Sequence, residues 1–372
     1  MGLSVVPLLS LFFEVSWTRL SVFYRHTMPK VAVAIVSWNH MKYLSDALTS
    51  VRNQTHQDLS LIVVDNASSD GTSEFVRTNF SEAVLLRNIR NLGFSRAYNQ
   101  TIEYARANLK RDGEELFVLV MNPDIILKPD YIARLLDRMM HRTDVGSAGG
   151  KLLRVHERPD GDLSEKDFSD IIDSTGLRIY RSRRAVDRHS GERDTDFDRT
   201  SEVFGISGAL IMFRISALND VALMGEFFDE DFFAYKEDVD LAWRLQLRGW
   251  KSLYVPEAVA YHHRRVKGTE KTSWLAVIRG RRNRSKLVSR LSYRNHVFML
   301  LKNEYLTNLF IDLPWIFLFE LKKLMYMLLL EPSVFFTTLP DLVRNIPRAL
   351  SKRHKTIGST RVSSKEIRKW FR

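Results

Sequence analysis

Leu116-Phe117-Val118-Leu119-Val120-Met121-Asn122-Pro123-Asp124 is an unbroken apolar run that stops at a carboxylate. Such a run predicts a strand buried on both faces, as in a parallel sheet clad by helices. A carboxylate at the end of that strand is well placed to hold a metal ion. A second acidic cluster, Glu237-Asp238, opens the helical pattern Glu237-Asp238-Val239-Asp240-Leu241-Ala242-Trp243-Arg244-Leu245. An acid at a helix start can act as a base across the same cleft. Together the two clusters point to chemistry that moves a group off a diphosphate.

The sequence before Leu116 alternates strand and helix. Val31 to Val36 is a continuous apolar run, and Leu44, Leu48 and Val51 follow at helical spacing. Leu59 to Val64 predicts the next strand, ending in the turn Asp65-Asn66-Ala67-Ser68-Ser69-Asp70-Gly71-Thr72. A helix through Phe75 and Val76, a short strand over Ala83 to Leu86 and a helix face at Phe94, Tyr98, Ile102 and Ala105 lead to Leu116. This order implies a parallel sheet with right-handed crossovers. Ligands of such sheets bind beyond the carboxyl ends of the strands, where Asp65, Asn91 and Asp124 fall. A glycine-rich dinucleotide site is disfavoured, because the first strand runs into Ser37-Trp38-Asn39-His40-Met41 without a glycine. A metal on Asp124 is then the simplest way to neutralise a bound diphosphate.

Beyond Asp124, residues 155–200 are polar and charge-rich, and predict a long surface excursion or mobile flap. Val203 to Phe213 predicts a strand interrupted by Gly205 and Gly208, where glycine can mark close approach to a ligand. From Arg264 to Arg294 the basic residues face a single acid, Glu270. Leu306 to Leu330 is apolar but broken by Asp312, Pro314, Glu320, Lys322 and Lys323. Basic then apolar sequence predicts an amphipathic, interfacial membrane segment; a helical subdomain packed on the core is the alternative.

The composition narrows the partners. The 372 residues are 45% hydrophobic, enough for one large core or two modest ones, and carry a net charge of +12. That charge favours anionic partners: nucleotide diphosphates, acidic lipid headgroups or nucleic acid. The absence of cysteine excludes disulfides, zinc–thiolate sites and thiol nucleophiles, and suits a reducing compartment. No nucleic-acid motif accompanies the basic residues, so nucleic acid is not expected as a partner. Residues 1–28 contain apolar runs broken by Glu14, Arg19 and Arg25, and lack signal-peptide features. They are expected to be an extension outside the fold, with Met28 a candidate start.

At this point the residues resemble a family. Val33-Ala34-Ile35-Val36-Ser37-Trp38-Asn39 and Val63-Val64-Asp65-Asn66-Ala67-Ser68-Ser69-Asp70-Gly71-Thr72 resemble the family-2 glycosyltransferases of the GT-A fold. Asn91 to Asn99 fits their next block, and Asn122-Pro123-Asp124 a variant of their metal-binding acidic motif. Phe232 to Leu241, Arg244 to Trp250 and Pro256 to His263 fit the catalytic region that follows. Each motif is weak alone, but five in the expected order over roughly residues 30–265 are specific. The bacterial rhamnosyltransferase-like branch, which builds cell-surface polysaccharide on lipid-linked acceptors, is the most similar.

The resemblance implies an α/β fold with a mostly parallel sheet, helices on both faces, and a basic, amphipathic helical extension. Residues 1–28 would be an N-terminal extension, 29–268 the transferase domain and 269–372 the C-terminal region. It implies an inverting glycosyltransferase with Asp238 as base and Glu237 holding the acceptor or sharing that role. Helix-start acids set against the helix dipole are the ordinary alternative. Ser37, Asn39, Asp65, Asn91, Gly93, Asn122 and Asp124 would bind the nucleotide sugar, Asp65 through its base or ribose. A turn residue holding backbone N–H groups is the alternative for Asp65. Asp124 would carry Mg²⁺ or Mn²⁺, with His262 completing the shell and His263 next in line; a structural histidine pair is the alternative. Gly205, Ser207 and Gly208 would line the acceptor channel, unless tight packing explains them. The donor would be dTDP-rhamnose, with UDP-sugars possible, and the acceptor a lipid-linked glycan. The setting would be cytoplasmic, peripheral on the anionic inner face of the cell membrane. A catalytically silent sugar-nucleotide-binding or scaffold relative is the competing possibility.

Overall fold

Alternation along β1 (Lys30–Ser37) sends Val31, Val33 and Ile35 to one face of a sheet and Ala32 and Ala34 to the other. The computed structural model describes residues 28–156, 167–195, 197–263 and 285–372. The extension before Met28, the expected boundary at 268–269 and most of the basic stretch after His263 lie outside those residues.

After β1 come α1 (Met41–Arg52), β2 (Leu59–Asp65), α2 (Thr72–Asn79), β3 (Val84–Arg87), α3 (Gly93–Asn108) and β4 (Leu116–Met121). The strands form a parallel run in the order β3-β2-β1-β4. The order changes direction beside β1, which opens a crevice at the strand ends. Tyr43, Leu44, Leu48 and Val51 seat α1 on one face. Tyr98, Ile102 and Ala105 seat α3 on the other. Each large side chain buried this way contributes about 1.5–3 kcal/mol.

The second half completes the sheet with mixed polarity. It contains β5 (Ile125–Leu127), α4 (Tyr131–Met140), β6 (Val145–His156), β7 (Asp167–Ser174), β8 (Leu177–Ile179) and β9 (Ala185–Asp187). Next are β10 (Ser201–Val203), β11 (Leu210–Arg214), α5 (Ile215–Val221), α6 (Glu237–Leu247) and β12 (Lys251–His262). β11 lies antiparallel between β4 and β6, and β12 runs parallel to β6.

Two expectations need correction. Within 155–200, the described residues form β7 on the sheet and the β8–β9 hairpin, not a surface flap. One charge there is buried by pairing: fully buried Arg183 contacts Glu304, and lies 3.0 Å from Asp312. Val203 to Phe213 is likewise two strands in different places, β10 beside β12 and β11 beside β4. Residues 204–209 form the link between them.

The C-terminal helices are α7 (Lys286–Asn303), α8 (Leu306–Ile311), α9 (Leu313–Leu330), α10 (Pro332–Gly358) and α11 (Ser364–Arg368). They share a core with α6, in which Phe232, Val239 and Trp243 meet Phe298, Met299, Leu342, Ile367 and Phe371. Buried lysines reinforce that seam. Lys302 on α7 contacts Asp229 and lies 2.8 Å from Asp240, and Lys352 on α10 lies 2.8 Å from Asp231. Asp240 also accepts from the Asn303 side chain of α7 at 2.8 Å, so it ties α6 to the helical layer.

Candidate active site

The register of the parallel strands brings Ser37 opposite Asp65, and Ile35 opposite Met121, at one edge. The Tyr98 hydroxyl donates to the Met121 carbonyl at 2.8 Å and fixes α3 to the end of β4. Three residues on, Asp124 is buried at the base of the crevice. Pairing of β5 with β12 places His262 opposite Ile125. His262 Nε2 then lies 3.4 Å from Asp124 Oδ1, and Nδ1 lies 2.8 Å from Asp173 Oδ2 on β7.

Burial alone would lower the His262 pKa, but its bonds to Asp124 and Asp173 outweigh that and push it up to about 10. Burial would raise the Asp124 pKa; its bond to His262 holds it below the ordinary carboxylate value. Two carboxylates thus grip one imidazole. A divalent cation bound here would have to displace the proton shared between Nε2 and Asp124. Asp173 fixes the ring by Nδ1 and aims Nε2 at Asp124, the carboxylate–histidine pattern that supports metal-bound imidazoles. Among the described residues no group of three or more histidines or acids is placed to hold a metal ion. A nucleotide diphosphate and water would have to complete such a shell. His263 is placed differently: its ring packs 5.0 Å from the Tyr43 ring and its N–H donates to the Asp124 carbonyl at 3.0 Å. It supports Asp124 from the core.

Glu237 and Asp238 stand at the start of α6, behind an unusual approach. Phe233, Tyr235 and Lys236 all have positive φ (61°, 71° and 73°), each costing on the order of 1–3 kcal/mol. The loop persists because its carbonyls are held. The side-chain nitrogen of Asn295, buried on α7, lies 2.8 Å from the carbonyls of Phe232, Ala234 and Tyr235. The Phe233 carbonyl accepts from the N–H groups of Phe94 and Ser95 at the start of α3.

The two acids differ in environment. Asp238 accepts from the N–H of Gly208 at 3.0 Å and of Val239 at 2.8 Å. Glu237 is buried, and its Oε2 has no hydrogen-bond partner among the described residues. Burial, with the Asp238 charge adding to it, pushes Glu237 up to about 8. A short bridge runs from Asp238 to Asn122, two residues before Asp124. Gly208 bonds Asp238, and the next carbonyl, of Ala209, accepts from Asn122 N–H at 2.8 Å.

The remaining expected site residues separate into rim and support. Ser37 is buried with no hydrogen bond to its Oγ among the described residues. Asn39 Oδ1 accepts from Ser69 N–H at 2.9 Å, stitching the loops after β1 and β2. Asp65 accepts from Ser68 N–H at 2.8 Å and contacts Ser73, as a turn residue would. It also lines a cavity of about 270 Å³ with Arg77 and Arg87. Asn91 Oδ1 accepts from Gly93 N–H at 2.8 Å, and lines a cavity of about 400 Å³ with Arg90, Arg96 and Glu230. Asp124 and Asp238 border neither cavity.

Two glycines are explained by close approach. A Cβ on Gly93 would fall 2.5 Å from the Phe233 carbonyl oxygen, and one on Gly205 2.3 Å from Ala242 Cβ. Gly205 is buried against α6, so tight packing replaces an acceptor-lining role there. Gly208 lies against Asp238, where a Cβ would fall 2.9 Å from the Asp238 Cβ. Sequence reading missed Asp173 and Asn295. The apolar residues Phe168, Ile171 and Ile172 beside Asp173 were the available strand signal for the first. Nothing local marked Asn295 as a partner of a loop sixty residues earlier.

Comparison with known proteins fits this geometry. A family model described as "Glycosyltransferase like family 2" matches residues 29–285. The N-acetylglucosaminyl-diphospho-decaprenol L-rhamnosyltransferase of Mycobacterium tuberculosis (strain ATCC 25618 / H37Rv) is 31% identical over 242 residues, 62% of this chain and 75% of that protein. The rhamnosyltransferase WbbL of Escherichia coli (strain K12) is 27% identical over 236 residues, 63% of this chain and 83% of its own. The crystal structure of GalNAc-T7 with UDP, GalNAc and Mn²⁺ superposes with a TM-score of 0.53 at 14% identity. It covers 74% of this chain and 48% of its own, and at that identity the likeness concerns the fold alone.

Proposed function

The chain belongs to the glycosyltransferase-like family 2 and is a glycosyltransferase, and from that premise we propose a specific transfer. The sugar, rhamnose by preference, passes from a nucleoside-diphosphate donor to a hydroxyl of a lipid-linked glycan precursor, with inversion. The observation that supports this reading is the chain of contacts from Asp238 through Gly208 and Ala209 to Asn122, two residues before Asp124 and its partner His262. A transfer site needs two roles, holding a diphosphate and activating a hydroxyl, and this chain of contacts supports their sharing one site.

Asp124 would hold the cation, joined by Nε2 of His262 once that nitrogen gives up its proton, and the imidazole favours Mn²⁺ over Mg²⁺. The ion would offset charge on the departing nucleoside diphosphate. Asn122 leaves the site one acidic ligand poorer than an Asp-rich motif, so donor phosphates matter to cation affinity. Asp238 takes the proton of the acceptor hydroxyl as its oxygen attacks the anomeric carbon. The bond to the diphosphate breaks on the opposite face, and its electron pair leaves with the nucleotide. Glu237, neutral near pH 7, can donate a hydrogen bond to the acceptor. Ser37, Asn39, Asp65 and Asn91 would border the nucleotide sugar, and Ser207 and Gly208 the acceptor.

Rhamnose is favoured by the names of the relatives, with a UDP-sugar as the other donor class. The decaprenol in one of those names supports a lipid-linked acceptor, and thus work at the inner face of the cell membrane. Residues 29–268 would supply the transferase core and 269–372 its support. The test is a pair of variants in binding and turnover assays. Asp238→Asn should keep donor binding but lose about 10²–10⁴-fold in turnover. Asp124→Ala should lose cation-dependent donor binding. Unchanged turnover in Asp238→Asn removes that residue as the base, and intact cation-dependent binding in Asp124→Ala removes the metal assignment.

A further inference from the structure

The polarity of α9 is turned inside out. Of its 18 residues only Ile316, Tyr326 and Met327 are buried. Its acid faces the protein: Glu320 lies 2.9 Å from His296 of α7 and 3.0 Å from Lys323. The outer side carries Phe317, Leu318 and Leu329, each more than half exposed. A water-facing helix has the opposite pattern. Comparable exposure continues at Phe310 on α8 and at Phe336 and Val343 on α10.

Charge is sorted in the same sense. The three acids between residues 313 and 358 are Glu320, Glu331 and Asp341. Glu331 accepts from Ser289 of α7 at 3.4 Å, and Asp341 pairs with Arg290 and Arg294 of α7 at 3.1 and 3.0 Å. Lys322 on α9 and Arg344 on α10 are exposed, and neither has an acidic partner among the described residues. At 18 residues α9 is about 27 Å long. No described helix is long and apolar enough to cross a membrane.

We propose that the outer face of α9, with the adjoining turns of α8 and α10, lies in the interfacial layer of an anionic bilayer. Phe317, Leu318 and Leu329 enter the acyl boundary, while Lys322 and Arg344 meet lipid phosphates. A second copy of the chain would cover the apolar residues but bring like charges together across a symmetric contact. α7, which receives the acids of this layer, also carries Asn295, so the bilayer-facing helices and the loop before Glu237 share one support.

The test is flotation of the full chain with vesicles of phosphatidylcholine, alone or mixed with phosphatidylglycerol. Binding is expected to the mixed vesicles and to weaken as salt rises. Phe317→Glu/Leu329→Glu should bind at least about tenfold more weakly. Met140→Glu, at an exposed apolar residue on α4, should bind like the unaltered chain. Should the double variant misfold, Lys322→Glu/Arg344→Glu must lose the preference for anionic lipid. The proposal is overturned if the unaltered chain ignores the mixed vesicles, or if a folded variant pair binds as before. It is also overturned if sedimentation finds a lipid-free dimer that the apolar double variant dissociates. No turnover is read, so failure here leaves the transferase reading untouched.

Discussion

Glu237 combines burial, an unpartnered oxygen and an acidic neighbour, and its pKa is raised from 4.5 to about 8. Between those values the folded chain keeps a proton that the unfolded chain has released. Stability from this group is therefore complete below about pH 4.5 and is lost as pH rises through 8. Glu237→Gln should relieve that loss, by on the order of a few kcal/mol at pH 9 and little at pH 4.5. Denaturant unfolding at the two pH values checks this; an equal effect at both would contradict it. Legibility at this scale was uneven. Asp124, Glu237 and Asp238 were recognisable because acids at a strand end and a helix start break apolar patterns. Asp173 was hidden among the charges of residues 155–200, and its role depends on β7 pairing beside β6.

At the scale of elements, the loop between the short turn at Glu230–Phe232 and α6 is the least self-sufficient part of the site. Phe233, Tyr235 and Lys236, all at positive φ, would relax without the Asn295 contacts. Asn295→Ala should lower kcat about 10-fold to 100-fold through misplacement of Glu237 and Asp238, while the donor KM changes little. Equal kcat in a folded variant would show that the loop holds itself. The strands β1, β2 and β4 were readable because each is a continuous apolar run between helical patterns. The link at 204–209 was not, since Val203 and Leu210 look continuous in sequence yet sit in separate strands. Only the close approach of Gly205 to Ala242 shows why the chain turns there.

For the whole molecule, the parallel half opens a crevice at its strand ends, the mixed half brings Asp173 and His262 to Asp124, and the C-terminal helices brace α6. The fold class follows from the order of strands and helices. The bracing layer does not, because its contacts join residues far apart in sequence, such as Lys302 with Asp229 and Lys352 with Asp231. The central claim is a transfer from a nucleotide sugar at this crevice. It is tested most directly by incubating the full chain and Mn²⁺ with dTDP-rhamnose or UDP-sugars and a polyprenyl-diphosphate-linked sugar, and measuring the nucleoside diphosphate released. Release of dTDP from dTDP-rhamnose, dependent on the acceptor and lost in Asp238→Asn, is the predicted result. Release from none of these donors, with no donor binding detected, would contradict it.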